Sequence, residues 1–129
     1  MVRHFETGEA EGAAGQDLEF ALTDDDRARP DVWVLLGKRA ATLDVDLVPV
    51  PGAPDIAIEV ISPTERSSDS HEKVRAYLLH GTSEVWQIYP KSRTAEIHRR
   101  GTSRTVETGE VIESDLLPGF ALPLVSILK

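Results

Sequence analysis

The sequence predicts an α/β domain built on a mixed β-sheet with a crossover helix. Three observations carry that class. Pro54-Asp55-Ile56-Ala57-Ile58-Glu59-Val60-Ile61-Ser62-Pro63 is a strand-length run framed by prolines, apolar on both alternating faces like a central strand covered on two sides. A helical pattern follows from Asp69 to His80, and a second strand-like run occupies Glu84–Tyr89. Strand, helix, strand in that order implies two neighbouring strands joined by a crossover.

The elements follow in order. Residues 1–16, rich in Gly, Ala and Glu, have little to bury and read as a flexible acidic lead-in to a single domain over 17–129. Asp17-Leu18-Glu19-Phe20-Ala21-Leu22 alternates and reads as a short strand ending at Thr23-Asp24-Asp25-Asp26. After Pro30, Asp31-Val32-Trp33-Val34-Leu35-Leu36 suits a buried strand. Residues 37–53 read as irregular. Asp69 is placed to cap the helix with Glu72 as its reciprocal partner. Val74, Tyr77 and Leu78 form its buried face, and Gly81 closes it. Pro90-Lys91-Ser92-Arg93 turns into an antiparallel strand at Thr94–Arg99, with a further strand around Ser103–Glu107. The apolar tail, Val111–Phe120 and Ala121–Leu128, is expected to pack on the sheet or on a second subunit.

With 129 residues, 40% of them hydrophobic and 28% charged, the chain suits one modest core. It has no cysteine, which excludes disulfides, thiolate zinc sites and thiol nucleophiles, and fits a reducing, cytoplasmic setting. Met1-Val2-Arg3-His4-Phe5-Glu6 lacks the apolar core of a signal peptide, and no stretch is long enough to span a bilayer. The net charge of -8 opposes indiscriminate binding to polyanions. That charge is concentrated in residues 1–26, which carry eight acids against Arg3 alone. Between positions 91 and 104, Lys91, Arg93, Arg99, Arg100 and Arg104 oppose only Glu96, a pattern that suits either a solvated hairpin or a phosphate-contacting surface, which would be a DNA surface if the chain acts on DNA.

The chemistry centres on carboxylates. Glu59 interrupts a doubly buried strand, where a lone charge is very costly and must be paired, metal-bound or protonated. Asp55 shares its side of the strand but lies about 13 Å away in an extended chain. Asp31, entering from the neighbouring strand, is the better companion. Asp31, Asp55 and Glu59 form the candidate metal set, and oxygen donors suit Mg²⁺ or Mn²⁺. Lys73 completes the candidate catalytic group as an ammonium near the phosphate. An alternative for Glu59 is a structural ion pair with arginine; for Lys73, an exposed pair with Asp69. Ser62-Pro63 has no glycine elbow, His4, His71, His80 and His98 are dispersed, and Gly8, Gly12 and Gly15 do not form a phosphate loop.

Arg29-Pro30-Asp31-Val32, the block from Pro54 to Thr64, then Asp69, Lys73, Tyr77, Gly81, Glu84-Val85-Trp86 and Leu117-Pro118-Gly119-Phe120 together resemble the Uma2 family, also called DUF820, of the PD-(D/E)XK nuclease superfamily. The resemblance covers roughly residues 17–128. It implies a restriction-endonuclease-like core and metal-dependent hydrolysis of DNA phosphodiester bonds. Asp31 and Glu59 would take the two motif-acid roles, with Asp55 as a further acid. The superfamily lysine would stand two residues after Glu59, where this sequence has Ile61, so Lys73 is expected to serve from the helix. Members usually place a helical region with a Glu-containing motif before the first strand, and this chain reads as N-terminally shortened there. The alternative is a non-catalytic, nuclease-like accessory domain; a homodimer is the expected assembly in either case.

Overall fold

The computed structural model describes residues 12–128. Its centre is a six-stranded sheet in the order β1 (Gly12–Gln16), β4 (Val32–Leu36), β6 (Ile56–Val60), β7 (Glu84–Tyr89), β8 (Thr94–Arg99) and β9 (Thr102–Val106). Only β6 and β7 run parallel, with Ile56 beside Glu84 and Val60 beside Ile88; every other pair is antiparallel. The helix α2 (Ser67–Leu79) makes the crossover between that parallel pair. The expected mixed sheet and its crossover are thus present, and β7 and β8 have the expected bounds.

Several elements depart from expectation for identifiable reasons. Residues 12–16 were expected to be loose, yet they form the edge strand β1; the rest of the proposed lead-in, residues 1–11, lies outside the described residues. Small residues are required here because the Trp33 ring lies across the strand. A Cβ on Gly15 would stand 2.6 Å from a Trp33 ring carbon, so glycine marks close packing rather than looseness. The strand expected over 17–22 shrinks to β2 (Phe20–Ala21), which pairs with β3 (Arg27–Ala28) and with β5 (Val50–Pro51) in a small second sheet. Residues 37–53 contain, besides β5, the single turn α1 (Lys38–Ala41).

α2 starts two residues before Asp69. Arg66 occupies the cap position without a side-chain bond, and Asp69 lies in the first turn, where its charge still favours the positive helix end. The Ser70 hydroxyl donates to Arg66 O at 3.0 Å instead. At the other end, Gly81 takes φ +109°, a backbone conformation that suits its missing side chain.

Alternation divides the sheet into two unlike faces. Val34, Ile56, Ile58, Trp86, Ile88 and Ile97 pack beneath β10 (Val111–Glu113), β11 (Ala121–Pro123) and the 3₁₀ turn Leu124–Ile127. Ile112, Leu117, Leu124 and Leu128 from this segment are buried there, so the apolar tail covers its own sheet. The opposite face is apolar only in part. Ala57 and Val85 meet Val74 and Tyr77 of α2, while Trp33 and Leu35 meet Phe20 and Val50. Glu59 and Gln87, paired across β6 and β7, continue this face as polar residues. Among the described residues, no helix is long and apolar enough to cross a membrane.

Candidate functional site

Two carboxylates lock β4 to β6 in opposite senses. Asp31 Oδ2 accepts the Val60 N–H at 2.7 Å, and Asp55 Oδ2 accepts the Leu36 N–H at 2.8 Å. Because the strands are antiparallel, these two bonds lie at opposite ends of the pair. Asp31 is therefore brought to the Glu59 end, and Asp55 is carried away from it. The backbone oxygen of Asp55 also accepts from Ser83 at 2.9 Å, tying the far end to the start of β7. Asp55 was expected among the metal ligands; strand direction carries it to the far end of the pair, where its carboxylate bonds the Leu36 N–H. Asp31, Glu59 and Lys73 do meet at one end.

Glu59 is 8% exposed, and burial pushes its carboxyl up to about 7. Lys73 and a hydrogen bond from Tyr77 oppose that rise, while the negative charges of Asp31 and Glu65 add to it. Tyr77 donates its hydroxyl to Glu59 Oε1 at 3.1 Å. Burial, together with the adjacent Glu59, holds the Tyr77 proton on. Among the described residues no arginine pairs with Glu59, so the structural ion-pair alternative does not describe it there.

The loop between β6 and α2 supplies a residue that was not anticipated. Glu65 Oε2 lies 3.7 Å from Lys73 Nζ, too long for a hydrogen bond. The same oxygen is buried without a hydrogen-bond partner. Lys73 thus pairs with Glu65 rather than Asp69, and its side chain stays half exposed at the cleft. A cleft of about 420 Å³ opens here, with Arg27, Arg29, Glu59, Lys73 and Tyr77 on its walls. The β2–β3 hairpin forms one wall because Ala28 packs against the Ala57–Val74–Tyr77 cluster.

The sheet extends this polar patch sideways. Gln87 Oε1 accepts from Tyr89 at 3.0 Å and lies 2.8 Å from His98 Nε2, while Gln87 Nε2 donates to Ser70 O at 3.4 Å. Burial lowers the His98 pKa, against the pull of Glu96. These contacts fix Gln87 beside Glu59 without neutralising it.

The five basic residues expected to form one DNA-contacting region are split. Arg99 lies between Glu84, at 2.8 Å from its Nε, and Asp115. Arg104 donates to Glu113 O at 2.6 Å, and Arg100 to Leu78 O at 3.3 Å. Those three stitch the chain to itself. Lys91 and Arg93 lie on the β7–β8 turn, at the same end of the parallel pair as Glu59.

No three His, Cys, Asp or Glu side chains among the described residues form a ready-made metal cage. The donor set nonetheless fits a hard cation that keeps waters and takes few protein ligands, as Mg²⁺ does. Glu59 uses one oxygen for Tyr77, Asp31 uses one for Val60 N–H, and Glu65 has a buried oxygen without a hydrogen bond.

Comparison with known proteins agrees with this architecture. The Uma2 family model, described as "Putative restriction endonuclease", matches residues 2–125. Among solved structures, the chain is similar to "a putative nuclease belonging to DUF820" from Anabaena variabilis ATCC 29413. The two share 19% identity and a TM-score of 0.79, over 98% of this chain and 75% of that one; at this identity the likeness concerns the fold. No curated protein matches. The strand that carries Glu59, the crossover helix and the family match over nearly the whole length place this chain in the Uma2 family.

Proposed function

We propose that the protein is a nuclease that hydrolyses DNA phosphodiester bonds with a divalent cation held by Asp31 and Glu59. One observation carries the reading: a buried carboxylate with no cationic side chain bonded to it among the described residues opens on a cleft, with a second acid and a half-exposed lysine at the same strand end. A buried charge so placed calls for a cation or a proton. Mg²⁺ or Mn²⁺, when bound, supplies positive charge that polarises a phosphoryl oxygen and acidifies a water.

The chain's own groups divide the remaining work. Tyr77 donates to Glu59 Oε1 and so turns the carboxyl, leaving Oε2 for a ligand. Asp31 gives one oxygen to the β6 backbone, which fixes its position, and has its second oxygen left to offer a cation. Lys73 presents its ammonium at the cleft, where it offsets the charge that accumulates on the phosphate. Glu65 restrains that ammonium from behind.

Calorimetry with Mn²⁺ and a nicking assay on supercoiled DNA with Mg²⁺ test the proposal. Cation binding and nicking are expected of the wild-type protein, and loss of both in Glu59→Gln and Asp31→Asn with unchanged circular dichroism. A folded wild-type protein that binds neither cation would remove the catalytic reading and leave the accessory-domain one.

A further inference from the structure

We infer that Arg27 and Arg29 form the wall that grips the DNA backbone beside the scissile phosphate; the inference rests on the nuclease reading of the cleft. Both residues line the same cleft as Glu59 and Lys73. They flank Ala28, whose side chain packs inward on the α2 cluster. Alternation then sends the two arginines to one side, about 6.6 Å apart along the chain. That spacing allows them to straddle one phosphate or meet two neighbouring ones.

Their states differ in a useful way. Arg27 is paired with Glu19 at 3.3 Å in an exposed contact, which solvent makes weak and easily exchanged. Arg29 is exposed and makes no hydrogen bond or ion pair among the described residues. Its backbone is nevertheless fixed, because Pro30 is fully buried and Asp31 is bonded to Val60. A free guanidinium on a fixed backbone is suited to bidentate capture of phosphate oxygens.

Charge balance points the same way. Asp26, Asp31 and Glu59 would repel a polyanion from this cleft. Glu65 and Glu19, the partners of Lys73 and Arg27, add to that repulsion. A bound divalent cation together with Arg27, Arg29 and Lys73 brings the cleft to about neutral, leaving Arg29 as the cation without a carboxylate partner among the described residues. The arginines farther along the chain offer less, since Arg99, Arg100 and Arg104 are engaged within the protein.

The test is fluorescence anisotropy of a labelled DNA duplex over a KCl series, with the full chain, in EDTA and in Ca²⁺. Arg29→Ala is expected to weaken binding roughly tenfold and to reduce the salt slope by about 0.9, and the double variant Arg27→Ala/Arg29→Ala by about twice that. Arg29→Lys should restore part of the affinity. Lys38→Ala, on α1 at the opposite end of the sheet, should match wild type. Circular dichroism and Mn²⁺ calorimetry on each variant should be unchanged. Wild-type affinity and slope in the folded double variant would overturn the inference, as would absence of DNA binding by the wild-type protein. Failure of the nuclease reading shows separately, as wild-type protein whose DNA binding depends on Arg29 but which neither binds Mn²⁺ nor nicks.

Discussion

Two buried glutamates stand on the adjacent parallel strands and project from opposite faces of the sheet. Glu84 is 1% exposed and Glu59 8%, so burial alone does not separate them. Their partners do. Glu84 accepts from Trp86 Nε1 at 2.6 Å, Arg99 Nε at 2.8 Å and the Ser114 hydroxyl at 2.9 Å. Glu59 receives the Tyr77 hydroxyl alone among the donors described. A carboxylate with three donors, one of them a guanidinium, is a structural anchor, and it ties β7 to β8 and the C-terminal segment. A carboxylate with one neutral donor and a raised pKa of about 7 has its charge largely unmet by the donors described. The structural arginine pair considered for Glu59 exists in this fold, but on Glu84.

The largest effect expected from breaking this contrast is at the anchor. Glu84→Ala leaves Trp86 Nε1 and Ser114 without their acceptor and Arg99 without its buried partner. Denaturant unfolding should show a loss of about 3–5 kcal/mol.

Glu59→Gln should act in the other direction. In the cation-free folded protein Glu59 keeps its proton up to about pH 7, whereas the unfolded chain releases it near 4.5. Stability is therefore full below about pH 4.5 and declines as pH rises through 7. Glutamine has no such proton to lose. The variant's advantage should be absent at pH 4.5 and reach up to roughly 3 kcal/mol at pH 8, read from chemical denaturation at both pH values. An equal loss of stability in both glutamate variants would erase the distinction.

A third measurement asks how much of the Glu59 face rests on its apolar flank. Gly15→Val drives a side chain into the Trp33 ring, and the thermal midpoint should fall by an amount equivalent to about 1–3 kcal/mol. The smallest stability effect belongs to Lys73→Met. Its ion pair to Glu65 is long and half exposed, so stability should change by less than about 1 kcal/mol, while nicking should be lost.

Much of this architecture was legible because it is written in local pattern. Ile56–Val60, Glu84–Tyr89 and Thr94–Arg99 announced themselves by composition and alternation, and Glu59 stood out as a charge in a run with no place for one. Asp31 and Lys73 followed from strand pairing and helix position. Other features depend on contacts distant in sequence. Nothing in Gly12–Gln16 reveals that Trp33 will lie across it, so glycine and alanine read as looseness. Asp55 and Asp31 have the same local setting after proline, and only the antiparallel pairing sends them to opposite ends. Glu65, Arg27 and Arg29 lie on loops or very short strands whose placement depends on the packed core. For Tyr77 there was a usable signal: a tyrosine on a buried helix face needs a partner for its hydroxyl, and the buried Glu59 was the candidate.

The C-terminal cover has a consequence in time as well as in space. Ile112, Leu117, Leu124 and Leu128 complete the core beneath Val34, Ile56, Ile58 and Trp86, yet they are the last of these residues to be synthesised. During translation the strands can pair while one whole greasy face still waits for its cover, and such a face is prone to association. The segment from Ile112 to Leu128 thus decides when that face is closed, in a protein whose cleft lies on the other side of the sheet.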